Sequence, residues 1–168
     1  EAINGEAKEA LIATNAEQKE VTFNMNVINN YENTLDNVVV LGRTPFAGNK
    51  DVLTSQSLGS TMDMPLTTGI TVNGIDSSNY TIYYSENGEA TSDVANTANG
   101  WTTEVSDYSR VKSYMIVLNN YTMNTGSTFN FSYKALIQGN LDYEQAAYEN
   151  YAVYFNNNQT SGTIKDKT

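Results

Sequence analysis

Acidic side chains are the residues of this chain most able to support acid–base or metal chemistry. The chain has 19 Asp and Glu residues and neither His nor Cys. Their absence excludes Ser-His-Asp and Cys-His catalysis as well as thiolate metal ligands. Paired carboxylates can hydrolyse glycosidic bonds, but no spacing in the sequence singles out a pair. We therefore predict a protein without enzymatic activity. A glycosidase that uses two carboxylates is the least favoured of the functions considered.

Calcium is the one cofactor for which the sequence offers suitable ligands. This ion binds carboxylate, amide and backbone carbonyl oxygens. The loop Asp76–Asn79 and the region from Asp51 to Asp63 supply such groups. Neither follows the spacing of an EF-hand loop, so ordinary turn chemistry is the alternative at both places.

Loop aromatics are the candidate ligand-binding residues. Trp101, Tyr108 and Tyr121 fall in or beside predicted loops. Tyrosine and tryptophan are enriched at recognition surfaces because they bury a large area at low entropic cost. Two interpretations are open: the rings contact a peptide or glycan, or they hold the loops against the body of the protein. A carbohydrate-binding module that stacks sugars on Trp101 and loop tyrosines is the alternative function.

The net charge limits the choice of partners. The charge is −10 and the isoelectric point is near 4.3, so phosphate backbones and anionic membranes should repel the chain. No run approaches the roughly 18 apolar residues of a membrane span. We predict no nucleic-acid partner and no membrane insertion. Because the chain begins at Glu1, we expect a segment excised from a longer protein whose neighbouring domains are its partners.

Alternating apolar and polar residues predict an all-β protein, because side chains on a strand alternate between faces. Val21–Ile28, Tyr80–Ser85 and Thr128–Ile137 show this pattern, and Val111–Leu118 is apolar on both faces, as in a central strand. Further strands, for a total of about nine, are predicted at Leu11–Thr14 (where a helix is the alternative), Asn37–Arg43, Gly69–Val72, Tyr151–Phe155 and Gly162–Lys165. The connection after Pro45 has two interpretations, a loop throughout or a loop with one short strand around Val52–Ser55.

The strands predict one antiparallel β-sandwich domain over residues 1–168. The Asn-rich turn before Val38 predicts a first hairpin within Val21–Pro45, and Asn73-Gly74 predicts a second hairpin ending at Tyr80–Ser85. The long excursions Pro45–Leu66 and Glu86–Gly100 are the better candidates for recognition. The predicted core residues are Phe23, Met25, Val27, Tyr84, Ile116, Phe129, Phe131, Val153 and Phe155.

The stretch Val21–Asn30, the run Leu35–Val40 and the pair Thr44-Pro45 together resemble the Ig-like repeat modules of Gram-positive surface adhesins. The resemblance implies a secreted, wall-attached, multi-domain bacterial protein. Such modules act as stalk or adhesion units that contact a host protein or glycan.

Some bacterial surface β-domains also contain Lys–Asn isopeptide bonds. For this chain, Lys8 and Asn150 are the predicted pair, with Glu104 or Glu149 as the acid that shuttles protons.

Overall fold

Two antiparallel β-sheets make up the fold. The structure is a computed structural model that describes residues 19–138 and 144–155, with the backbone alone at 166–167. In chain order the strands are β1 (Lys19–Ile28), β2 (Val39–Arg43), β3 (Thr71–Asn73), β4 (Tyr80–Ser85), β5 (Ser113–Leu118), β6 (Thr128–Ile137), β7 (Asn150–Tyr154) and the two-residue β8 (Asp166–Lys167). The first sheet has the order β1-β6-β3, and the second has the order β4-β5-β2-β7-β8.

Helical structure is limited to short turns in the described residues. The connections contain three 3-10 turns, at Ser77–Asn79, Thr97–Asn99 and Tyr108–Arg110. The prediction of an all-β chain is confirmed.

The longest pair of strands follows the alternation that the sequence predicts. β1 and β6 pair over their full length, from Lys19 opposite Ile137 to Ile28 opposite Thr128. Met25 and Val27 are buried, whereas Asn24 and Asn26 are exposed. On β6, the predicted apolar face from Phe129 to Ile137 is buried. One face of this sheet therefore points into the protein and the other into solvent.

β5 is a central strand, as its two apolar faces predict. It pairs with β4 on one side and β2 on the other. Met115 on one face and Ile116 on the other are both fully buried.

Aromatic rings join the two sheets. The ring centroid of Tyr114 on β5 lies 5.9 Å from that of Phe131 and 5.7 Å from that of Tyr133, both on β6. Phe131 also meets Tyr151 of β7 edge to face at 5.3 Å. Gly42 on β2 makes room for this layer, because a Cβ there would lie 2.0 Å from the Tyr114 ring. Glycine at this position is required by packing.

Both predicted hairpins are wrong. Within the described residues β1 pairs with β6 alone, whereas β2 pairs with β5 and β7 in the other sheet. Likewise β3 pairs with β6 and β4 pairs with β5. The connections after β1 and β3 therefore cross between sheets, because a strand's alternation determines its buried face but not its neighbour.

The predicted count of about nine strands is also wrong. The described residues form seven strands of three or more residues and the short β8. Of the two interpretations for Val52–Ser55, the loop is correct: this segment is a turn that begins at buried Asp51. The predicted strands Leu11–Thr14 and Gly162–Lys165 lie outside the described residues.

The predicted core residues are buried except Phe23. Phe23 is half-buried and stacks on Tyr133 with centroids 5.1 Å apart. Tyr114 and Tyr133 are also almost fully buried. Neither is in the predicted core list, although Tyr133 lies on the predicted apolar face of β6.

Candidate ligand-binding surface

The excursion after β2 is fixed by side chains inside the protein. Asn49 is fully buried, and its amide nitrogen donates to the carbonyls of Thr44 (3.2 Å) and Tyr148 (2.6 Å). Asp51 is also buried and accepts hydrogen bonds from the backbone nitrogens of Leu53 and Thr54 at 2.9 and 2.8 Å. Carboxylate acceptors of this kind stabilise tight turns. The excursion is therefore held in one conformation.

Asn150 at the start of β7 connects this turn to the second sheet. Its side-chain oxygen accepts from the backbone nitrogen of Val52 at 2.8 Å. Its amide nitrogen lies 3.4 Å from Asp51 Oδ2. Arg43, the residue opposite Asn150 on β2, is buried as well. The outer side of the second sheet is thus lined by polar groups where the excursion begins.

The excursion after β4 has its own buried amide. Asn99 Oδ1 accepts from the backbone nitrogen of Thr91 at 3.0 Å. Its amide nitrogen donates to Thr91 Oγ1 and to the carbonyl of Asp93, both at 2.8 Å. The Arg43 guanidinium reaches the same loop and donates to the carbonyl of Ala90 at 2.8 Å. A buried side chain that satisfies three backbone or hydroxyl groups strongly restricts a loop.

The two excursions contact each other. Phe46 from the first packs against Gly88 from the second, where a Cβ would lie 2.5 Å from the ring. Lys50 forms an ion pair with Glu89 across the same junction. Lys112 Nζ lies 5.2 Å from the Phe46 ring centroid, within the range of a cation–π interaction. We call this contact the loop junction.

Two open depressions flank the loop junction. One has a volume of about 300 Å³ and is lined by Phe46, Gly48, Lys50, Glu86, Asn87, Gly88, Glu89 and Lys112. The other, also about 300 Å³, is lined by Tyr84, Ser85, Glu86, Asn87, Gly100, Thr102, Glu104, Val105, Ser106, Asp107 and Val111. Both share Glu86 and Asn87, so a single extended ligand can contact both.

Two of the three carboxylates around the second depression, Glu86 and Asp107, have structural partners. Glu86 forms an ion pair with Arg110 at 2.7 Å. Asp107 accepts from the hydroxyl of Ser109 at 2.6 Å and from its backbone nitrogen at 3.0 Å, and these bonds lower the pKa of Asp107. A depressed pKa is the opposite of what a general acid needs at neutral pH. Asp107 is therefore poorly suited to act as a general acid at neutral pH.

Two of the three predicted ligand-binding aromatics lie at one end of the second sheet, and the third lies at the other. Thr102, next to Trp101, forms an isolated antiparallel β-bridge with Tyr84. The ring of Tyr108 meets that of Tyr84 edge to face, with centroids 5.4 Å apart. Tyr121 instead follows the end of β5, near Leu118 and its β4 partner Tyr80. Tyr80 and Tyr84 are about 13 Å apart at roughly 3.3 Å per strand residue.

The three rings also differ in their surroundings. Trp101 is half-buried, and its indole nitrogen donates to the carbonyl of Thr91 at 2.8 Å. Tyr108 and Tyr121 pack against the core. The interpretation that loop aromatics hold loops in place therefore describes the two tyrosines well, whereas Trp101 still presents part of its ring to solvent.

The described residues predicted to form or assist an isopeptide bond have different side-chain surroundings. Lys8 lies outside the described residues. Asn150 contacts the Asp51 turn, whereas the neighbouring Glu149 contacts buried Tyr114, whose hydroxyl lies 3.5 Å from its carboxylate. Glu104 is exposed in a loop. The carboxylate beside Asn150 is therefore that of Asp51, and the covalent bond stays a prediction.

Glu149 nevertheless has a strongly perturbed carboxyl group. Burial raises its pKa to about 8, against an ordinary value of 4.5, although the hydrogen bond from Tyr114 lowers it. Tyr133 adds a buried hydroxyl that has no hydrogen-bond partner in the described part of the chain. Burial raises the pKa values of the Tyr114 and Tyr133 hydroxyls, and the nearby carboxylate of Glu149 raises them further.

The predicted calcium ligands Asp76 and Asp63 accept hydrogen bonds from within the protein. Asp76 accepts from the backbone nitrogen and hydroxyl of Ser78 at 2.9 and 2.7 Å. Asp63 accepts from the backbone nitrogen of Ala47 at 2.8 Å. Over the described ranges, no three Asp or Glu side chains converge in a way that would hold a metal ion.

Comparison with known proteins gives no relative: no family model, curated protein or solved structure matches the chain. In the described part of the chain, no helix has the length and apolar character needed to cross a bilayer.

Proposed function

We propose that this chain is an Ig-like β-sandwich module of a secreted bacterial surface protein, and that it binds a host protein or glycan without catalysis. One observation supports this most directly. Both excursions are held by buried amides, Asn49 and Asn99, and meet at the loop junction. Loops positioned by a rigid scaffold are the usual location of binding residues.

Preorganisation is the physical advantage of such a surface. A ligand that orders loose loops loses binding free energy to their lost conformational entropy. Here the hydrogen bonds of Asn49 and Asn99 restrict the loops before any ligand arrives. The sheets behind them form the rigid body of a spacer, so the same module also serves as a stalk segment between neighbouring domains.

The described carboxylates support the absence of catalysis. A retaining or inverting glycosidase needs two facing carboxyl groups with contrasting pKa values. Glu149, with its raised pKa, faces tyrosines, whereas Asp107 caps a turn at the surface. Neither forms the required pair with the other.

A carbohydrate-binding module is the second candidate, favoured by Trp101. Its indole nitrogen is fixed to Thr91, which leaves the ring oriented and half-exposed beside a depression that includes Gly100 and Thr102. Sugar rings can stack on an aromatic face that is held in this way. The alternative is narrower than the main proposal: its ligand is a glycan alone, and binding depends on this one ring.

Arrays of glycans and of extracellular host proteins test both candidates. The chain is compared with Trp101→Ala and with Val94→Ala, a change at an exposed residue of the same loop. Glycan binding lost only in Trp101→Ala supports the carbohydrate module. Protein binding that survives Trp101→Ala supports the main proposal, and no binding on either array contradicts both recognition roles.

A further inference from the structure

Asn-Gly dipeptides recur in this chain, and the structure gives them very different surroundings. Three lie in the described residues, at Asn73-Gly74, Asn87-Gly88 and Asn99-Gly100, and a fourth, Asn4-Gly5, lies outside them. Asn-Gly is chemically labile because glycine has no Cβ to hinder its nitrogen from approaching the preceding side chain. Turn conformations that favour the pair do not by themselves protect it.

In Asn99-Gly100, hydrogen bonds restrain both of the groups that would react, the side-chain amide and the glycine nitrogen. The Asn99 side chain is buried and makes three hydrogen bonds, to Thr91 and Asp93. The nitrogen of Gly100 donates to the carbonyl of Thr97 at 3.1 Å. The amide and the nitrogen must both leave these partners before they can react with each other.

Asn87-Gly88 is restrained in part. Asn87 Oδ1 accepts from the backbone nitrogen of Glu89 at 2.8 Å, and its amide nitrogen donates to the carbonyl of Ala98 at 3.2 Å. Gly88 packs under the Phe46 ring at the loop junction. Movement of the glycine therefore disturbs a contact between the two excursions.

Asn73-Gly74 is the least restrained of the three. Both residues are exposed at the end of the edge strand β3. The Asn73 side chain makes one hydrogen bond, to the exposed side chain of Asn130 at 3.0 Å. Gly74 has a φ of +91°, and its nitrogen donates no hydrogen bond within the described residues.

We propose that Asn73 is a site of spontaneous covalent modification, at which the folded protein deamidates in preference to Asn87 and Asn99. The nitrogen of Gly74 loses its proton to solvent base and attacks Cγ of Asn73. The bond from Cγ to Nδ2 breaks, and ammonia leaves with a proton from solvent. Water then opens the resulting succinimide at either carbonyl, giving aspartate or isoaspartate at position 73.

The product adds a negative charge to the edge of the first sheet. A carboxylate replaces the donor that Asn73 offers to Asn130 across the β3–β6 pair. In the isoaspartate form the backbone also gains a methylene, which shifts the strand register there. Modification should therefore detach β3 locally while leaving the aromatic layer between the sheets intact.

The test is peptide mapping of the intact chain after incubation in mildly alkaline buffer, with isoaspartyl methyltransferase to detect the rearranged product. We expect Asn73 to react at least about tenfold faster than Asn99, because the hydrogen bonds of Asn99 must open first. In urea, where every pair is solvated, the rates should converge to within a few fold. Asn73→Gln should abolish the fastest deamidation, and deamidation at Asn4 is quantified separately.

Equal native rates at Asn73 and Asn99 would overturn the proposal. So would an unmodified Asn73 in native chain over a period in which the urea-unfolded chain reacts fully. A variant that fails to fold does not obscure the result, because the native and unfolded rates of the unaltered chain form the primary comparison.

Discussion

Replacing Glu149 by glutamine should change how the stability of the protein depends on pH. Glu149 is partly exposed by surface area, yet its carboxyl group lies beside the buried hydroxyl of Tyr114, and its pKa is about 8. An ordinary glutamate pKa is 4.5. The folded state therefore retains a proton that the unfolded state releases between these values.

The sign of the effect follows from this difference. Stability from Glu149 is fully present below pH 4.5 and is lost as the pH rises toward 8. The loss has an upper bound of about 5 kcal/mol, and the partial exposure of the side chain reduces it. Glu20, Asp76, Glu89 and Asp107 have lowered pKa values, so their contributions change below pH 4.5 rather than in this window.

Urea denaturation at a series of pH values measures the effect. Glu149→Gln should match the unaltered chain near pH 4 and be more stable by several kcal/mol at pH 8, with a flatter profile between. Glu104→Gln, at an exposed loop carboxylate, is the matched control and should leave the profile unchanged. Identical slopes for the unaltered chain and Glu149→Gln would refute the reasoning.

The remaining predictions concern the core and the loops. Phe131→Ala removes a ring shared by both sheets and should lower the free energy of unfolding by about 3–5 kcal/mol, whereas an unchanged melting temperature would refute its place in the core. Gly42→Ala should cost at least about 1–3 kcal/mol because the methyl group overlaps Tyr114, and neutrality by denaturation would disprove the close approach. Asn49→Ala removes the donor to the buried carbonyl of Thr44 and the partly buried carbonyl of Tyr148 and should cost about 1–3 kcal/mol, with faster protease cleavage within Pro45–Leu66 as the diagnostic result.

Much of the fold was predictable because alternation reports burial directly. Val21–Ile28 and Thr128–Ile137 have one apolar face each, and both are strands with that face inside. Pairing was not predictable in the same way. The long irregular connection after β3 and the Asn-rich segment after β1 both look like hairpin turns in sequence, although each crosses to the other sheet.

The positions of the two irregular excursions were predictable from the sequence, but the side chains that hold them in place were not. The excursions were identified from their lack of periodicity, and Trp101 from its residue type. Asn49 and Arg43 were missed, because their burial depends on distant partners such as the carbonyl of Tyr148, 99 positions along the chain from Asn49. In an Asn-rich sequence an amide that fixes a loop looks the same as one that merely turns the chain.

The most direct test of the proposed role compares ligand binding by the unaltered chain with binding by the double variant Asn49→Ala/Asn99→Ala. The substitutions remove the buried amides of both excursions but leave the residues of the loop junction in place. We predict that the unaltered chain binds specific proteins or glycans on the arrays. The double variant should lose this binding while keeping its β-sheet circular dichroism spectrum. Equal binding by a folded double variant would contradict the claim that preorganised excursions form the recognition surface.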